Sequence, residues 1–310
     1  MNGLRRPAKG LPYSLLLEDF DAQGLPKFGA IGRCLIGIFV LIVSFILIMP
    51  YLVFALAALF WVLGGAQGPI EQAFADAQAL NTPSGMLARH LGIGLMIGLC
   101  YLIWVLLNRV EGRWLASVQP GFRWRLALLG LFPAAVAMFL CYTFSVPSLP
   151  TWNPQDNWVW FLVVILLTSP IQAAAEEYIF RGYLLNALGS AVRNKWAAVV
   201  VSALFFAGFH GTQNLPLFVD RFGFGLISGA LVILTGGLEC SIAAHAANNM
   251  LSFAIAATTS SVATALATSQ ATWINAVWDL AGWLLAAAVL LWLARKLNAA
   301  TETPASSSRA

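Results

Sequence analysis

Charge is what this sequence has least of. Only 10% of its 310 residues are Asp, Glu, Lys or Arg, against roughly 25% in soluble domains. That scarcity excludes an ordinary soluble enzyme. With 60% hydrophobic residues and a mean hydropathy of +0.79, the chain reads as a polytopic membrane protein. Paired cysteines are missing too. Cys34, Cys100, Cys141 and Cys240 lie in or beside apolar stretches, with no CxxC and no paired spacing. They read as small buried apolar residues, not as disulfides or metal ligands. The N-terminus lacks the pattern of a cleaved signal peptide: its first 30 residues are mixed and polar, and the first apolar run is too long for a signal h-region. No internal repeat is visible, so an inverted-repeat transporter has no support.

Aromatic residues are plentiful, and the 12 Trp and 20 Phe suit helix ends at an interface and lipid-facing surface. With about 20 apolar residues per crossing, the sequence predicts about eight transmembrane helices. They fall near 34–63, 86–108, 124–146, 157–187, 196–212, 217–237, 240–259 and 273–294. Pro50 is a candidate kink in the first. The stretch Gln67 to Ser84 and the prolines at 147, 150 and 154 read as loops, and the tail from Thr301 as disordered. The glycine pairs Gly94/Gly98 and Gly225/Gly229 allow helices to approach closely. Positive charge clusters at Arg5, Arg6, Lys9, Lys27 and Arg33, between the second and third spans, at Arg193 and Lys195, and at Arg295 and Lys296. The intervening loops hold Glu71, Asp76 and Asp156, so both termini are predicted to be cytoplasmic. This orientation leaves His210 late in the fifth span, deeper than Glu176 and His245. The lipid bilayer is therefore a partner, and nucleic acid is not.

Three polar islands interrupt these apolar runs: Glu176 to Arg181, Phe206 to His210, and His245 to Asn249. An ionisable side chain at membrane depth costs several kcal/mol by the milder scales (about 2.5–3.5), so each island is a functional candidate. Two of the three histidines in the chain lie here. On a helix, Glu177 and Arg181 share a face in the order that favours an ion pair, while Glu176 turns about 100° away, toward Gln172 and Phe180. Glu177 is thus expected to be neutralised, leaving Glu176 to act on water or metal. Phe206 and His210 share a face, as do His245 and Asn249, with Asn248 turned away. Taken singly, each island also suits a structural role: a braced helix end, a satisfied core histidine, asparagine glue between helices. Asp279, with Asn275 one turn before it, and Asp220 and Arg221 are the other polar groups at this depth, and these three charges read as interfacial or structural.

Glu-Glu-x-x-x-Arg, Phe-x-x-x-His and His-x-x-x-Asn, in this order on successive apolar helices and within about 75 residues, resemble the CAAX protease and bacteriocin-processing enzyme family. Its best-known members are the type II CAAX prenyl endopeptidases. The resemblance covers about 155 to 260 and implies an intramembrane endopeptidase. Glu176 and His210 would activate the attacking water, and His245 and Asn249 would hydrogen-bond the oxyanion. Glu177, Arg181 and Phe206 would support the site. The expected substrate is a membrane-associated peptide or protein, lipidated C-terminal peptides included. The chain then divides into an N-terminal cytoplasmic segment (1–33), N-terminal transmembrane helices (34–150), catalytic helices (151–260), a C-terminal transmembrane helix (261–298) and a disordered tail (299–310).

Zinc is an open alternative as cofactor. Glu176, His210 and His245 would form a three-ligand site with a position free for water. That arrangement lacks a second carboxylate to act as base, because Glu177 is committed to Arg181. The glutamate-dependent reading needs no metal and is preferred. Two other classes compete: a proton-coupled transporter using the same residues as a relay, and a non-catalytic, immunity-type membrane scaffold.

Overall fold

The protein is described here by a computed structural model covering residues 4–17 and 27–304. Among these residues regular structure is helical, with isolated β-bridges and no strand. The long helices follow the apolar runs. Helix α1 (Lys27–Val43) passes through a π turn at Ser44–Ile48 into α2 (Met49–Leu63). The turn sits where Pro50, having no N–H, interrupts the hydrogen-bond ladder. Helix α4 (Pro83–Gly94) continues through α5 (Met96–Leu102) to a second π turn, Ile103–Leu107. Then come α6 (Trp124–Ser145) and α7 (Trp158–Glu177), which runs without a break through a π segment at Tyr178–Leu184 into α8 (Leu185–Val192). The remainder is α9 (Lys195–Gly208), α10 (Leu215–Thr235), α11 (Glu239–Thr259), α12 (Val262–Leu266) and α13 (Trp273–Lys296). The stretch predicted as a loop from 67 to 84 contains a further helix, α3 (Ile70–Ala79), opened by Pro69 and closed by Leu80 at φ 58°.

Six helical stretches among the described residues, not eight, are long and apolar enough to cross a membrane: Ile31–Leu63, Pro83–Leu107, Trp124–Ser145, Trp158–Val192, Leu215–Thr235 and Trp273–Lys296. They make this a multi-pass integral membrane protein. The two expected spans that fall short do so for different reasons. Helix α9 has 14 residues, a rise of about 21 Å against a hydrocarbon core of about 30 Å. Helix α11 has 21 residues, but carries Glu239, Ser241, His245, Asn248 and Asn249. It tolerates them because residues 239 to 247 are buried by protein, not lipid. These two helices carry the second and third polar islands.

Helix α11 is held on one side by α7 and on the other by α6, which also packs along α13. Helix α9 lies against α10, where Gly225 and Gly229 meet Ala203 and Val199, so this glycine pair does bring two helices close. Of the other pair, Gly94 meets Ile171 of α7 and Gly98 faces open space. The start of α11 is fixed by an ion pair: Arg123 Nη2 lies 2.6 Å from Glu239 Oε2, and the Arg123 backbone N–H donates to Glu239 Oε1 at 2.9 Å. A carboxylate in the first turn of a helix also suits the helix dipole. All four cysteines are buried and free.

The N-terminal residues thread under the end of α8. The hydroxyl of buried Tyr13 donates to the Leu115 carbonyl, and the Ser14 carbonyl packs against Gly189. Of the tail predicted from Thr301, residues 301–304 are placed: the Thr303 N–H donates to the Leu11 carbonyl at 3.0 Å, and Thr303 is buried. Residues 305–310 lie outside those described.

Candidate active site

The three islands meet. Glu176, His210, His245 and Asn249 all line one cavity of about 500 Å³, together with Gln172, Phe180, Arg89, His90 and Arg221. Helix α7 supplies Glu176, α11 supplies His245 and Asn249, and the turn after α9 supplies His210.

The two glutamates separate as their helical spacing predicts. Glu177 is fully buried, with Arg181 Nη1 donating to its Oε1 at 3.1 Å. Two partners from α11 join it: the Ser241 hydroxyl donates to Oε2 at 2.5 Å, and His245 Nδ1 lies 2.8 Å from Oε1. Glu176 faces the cavity with 15% of its side chain exposed. Gln172 Nε2, one turn earlier on α7, donates to Glu176 Oε1 at 2.5 Å. The oxygen of the same Gln172 amide accepts from Asn249 Nδ2 at 2.8 Å. Gln172 therefore links the carboxylate to the asparagine and fixes both. Asn248, expected to turn away, instead donates to Asn249 Oδ1 at 3.3 Å.

Hydrogen-bond chemistry assigns the imidazole protons. A carboxylate accepts, so the proton on His245 Nδ1 points at Glu177. Its Nε2 then faces Glu176 Oε2 at 3.5 Å. Two lone pairs facing each other would repel, so a proton on either atom makes this contact favourable. His210 Nδ1 lies 2.8 Å from the Phe206 carbonyl, which also only accepts. His210 Nε2 is consequently the nitrogen left for chemistry. His210 is not late in a helix as expected. Helix α9 stops at Gly208, and Gly211 at φ 76° turns the chain away, leaving His210 on a turn beside the cavity.

Phe206 supports this arrangement. Its ring lies 4.6 Å from that of His210 and 6.1 Å from that of His245, and the Arg181 guanidinium sits 4.4 Å over it. Phe224 lies 4.9 Å from the same guanidinium. Arg181 Nε and Nη2 have no hydrogen-bond partner, so two aromatic faces offset part of the cost of burying the cation. Immediately after Glu177 the helix widens into its π segment, and Ser202 Oγ donates to the Phe180 carbonyl there at 2.6 Å. π turns inside α-helices frequently mark functional sites.

A zinc ion would need three donors converging at about 2 Å. Among the described residues no three His, Cys, Asp or Glu side chains converge in that way. The residues as arranged do not fit the ion, and no step below passes through one.

Sequence reasoning missed Arg89, His90 and Ser241. Arg221, read as interfacial or structural, lines the cavity, carried there on α10, which packs along α9. Asn275 closes the capping box of α13 and donates to the Ser145 carbonyl at 3.2 Å. The signal for Ser241 was its place one turn before His245. For Arg89 and His90 it was two ionisable neighbours near the start of an apolar span.

Residues 157–251 match the family model described as Type II CAAX prenyl endopeptidase Rce1-like. A protein of Bacillus subtilis (strain 168), the uncharacterized protein YyaK, is 34% identical over 101 residues, or 31% of this chain and 34% of that protein. The chain thus matches about a third of the length of this curated relative. No solved structure matches. The matched stretch runs from the start of α7 into α11 and contains Glu176, Glu177, Arg181, Phe206, His210, His245 and Asn249; over it the chain carries the sequence pattern of the Type II CAAX prenyl endopeptidase Rce1-like family.

Proposed function

We propose that the protein is an intramembrane endopeptidase that hydrolyses a peptide bond of a membrane-associated peptide or protein, lipidated C-terminal peptides included. The observation that carries this reading is the convergence of Glu176, His210, His245 and Asn249 on one cavity. Glu176 and His210 Nε2 form the base. A water between them gives up a proton as its oxygen bonds to the scissile carbonyl carbon. The carbonyl π electrons move to oxygen, and His245 Nε2–H and an Asn249 N–H donate to the resulting anion. Collapse breaks the C–N bond, and the proton first taken by the base goes to the leaving amine. Asn249 suits its part because Gln172 occupies one hydrogen of its amide and leaves the other. Glu177 suits a supporting part: it accepts from His245 Nδ1–H and orients the ring so that Nε2–H can meet the anion. The distribution of Lys and Arg supports both termini lying on the cytoplasmic side.

The test compares membrane-peptide termini between cells making this protein and cells making Glu176→Gln. New C-termini confined to the unmutated protein are expected, and they name the substrate class. Identical termini would reject the endopeptidase reading. On the peptide so identified, Asn249→Ala is expected to lower kcat by about 10²–10³, the usual loss on removing one oxyanion donor. An unchanged kcat takes Asn249 out of that role.

A further inference from the structure

The third histidine of the chain has no part in the mechanism above, yet it lines the same cavity. His90, on α4, is 2% exposed, and its Nδ1 lies 2.8 Å from the Thr168 hydroxyl of α7. That hydroxyl spends its one hydrogen on the Val164 carbonyl, 2.7 Å away. Its oxygen can then only accept, so the imidazole proton sits on Nδ1 and Nε2 is a lone-pair acceptor. Nε2 has no hydrogen-bond partner among the described residues and is not among the sealed, unpartnered atoms of the interior, so it opens to the cavity. The Phe253 ring, 5.8 Å away, packs beside the imidazole. This is a fixed, buried acceptor with nothing among the described residues to accept from.

We propose that His90 is a substrate-positioning residue, accepting a backbone N–H of the peptide being cut; this rests on the endopeptidase reading. A peptide entering the cavity must be extended to be hydrolysed, and its backbone N–H groups then lack the partners a helix provides. At membrane depth each unpaired group costs several kcal/mol. The cavity has to supply acceptors. Thr168, Gln172 and Glu176 lie on one face of α7 at successive turns, so His90 stands two turns from Glu176, about 12 Å along the axis. An extended peptide advances about 3.3 Å per residue. The N–H that His90 receives therefore belongs to a residue three or four positions from the scissile bond. His90 thereby sets which bond faces Glu176.

The test uses the full-length protein in detergent and a synthetic peptide spanning the cleavage site mapped with Glu176→Gln. His90→Asn keeps a donor toward Thr168 and removes the acceptor. It is expected to raise KM about tenfold with kcat within about twofold, the pattern of a lost binding hydrogen bond. His90→Gln, whose amide oxygen reaches the Nε2 position, is expected to recover most of the KM. The peptide is then N-methylated one backbone nitrogen at a time. Methylation three or four residues from the cut should raise KM on the unmutated protein and add nothing on His90→Asn, as coupled partners do. An unchanged KM in His90→Asn, or additive effects at every position, overturns the proposal. So does a fall in kcat with a shifted pH profile, which would make His90 a proton carrier. Should the purified unmutated protein leave the peptide uncut, the endopeptidase reading is what has failed, and this inference falls with it.

Discussion

Purified Glu176→Gln protein is expected to fold normally and to cleave its substrate at least 10²–10⁴-fold more slowly, the contribution of a positioned general base. The substitution is conservative in shape and hydrogen bonding. Its amide oxygen can still accept from Gln172 Nε2, as Glu176 Oε1 does at 2.5 Å. What it loses is the ability to take a proton from water. His210→Ala should cost a similar factor, since His210 Nε2 is the only other nitrogen of the cavity assigned to the base. The check is a pair of measurements on each variant: single-turnover cleavage in detergent, and a melting curve. Unaltered melting with abolished cleavage supports the assignment. Retained cleavage in Glu176→Gln would move the base elsewhere.

Arg181→Ala should act in the opposite way, removing the fold before the chemistry. Arg181 and Glu177 are both fully buried and 3.1 Å apart. Breaking such a pair by deleting one partner costs about 3–5 kcal/mol, because the remaining charge stays in a medium that cannot solvate it. The total stability of a domain is about 5–15 kcal/mol, so the variant should melt far below the unmutated protein or fail to accumulate. The truncation also empties the space under Phe206 and Phe224 and loosens the ring against which His210 rests. Removing both charges is a different experiment. Arg181→Met combined with Glu177→Gln should recover much of the stability, since paired apolar or neutral replacements of buried ion pairs are often tolerated. Its cleavage should stay low, because His245 loses the carboxylate that accepts its Nδ1–H and orients the ring. An Arg181→Ala protein that melts at the normal temperature would show that the buried pair does not sustain the fold.

The parts of this site that a sequence can disclose are those set by one helix. The split between Glu176 and Glu177 follows from the 100° step between neighbours, and both local partners, Gln172 and Arg181, lie one turn away. The all-helical, multi-pass character follows from composition. What the sequence does not disclose lies between helices. That Ser241 and His245 converge on Glu177 depends on how α11 lies against α7. Arg89 and His90 enter through α4, which carries no motif. The span count fails where hydropathy is a poor guide. Helix α11 is polar but needs no lipid, being enclosed by protein, and α9 is apolar but stops short at Gly208. Helix α3 was hidden in a polar stretch because a short amphipathic turn between two spans reads like a loop.

The π segment at Tyr178–Leu184 also fixes the length of the chain there. A π turn is an α-helix carrying one residue in surplus. Removing any one residue between 178 and 184 would restore an ordinary ladder of hydrogen bonds and improve the helix as a helix. The flanking segments would keep nearly the same phase, because the seven wider steps turn through about as much as six ordinary ones. The change falls inside the segment: the Phe180 carbonyl that Ser202 Oγ reaches would return to the ladder, and a deletion before Arg181 would shorten its four-residue spacing from Glu177. A more regular helix here would therefore be the worse one.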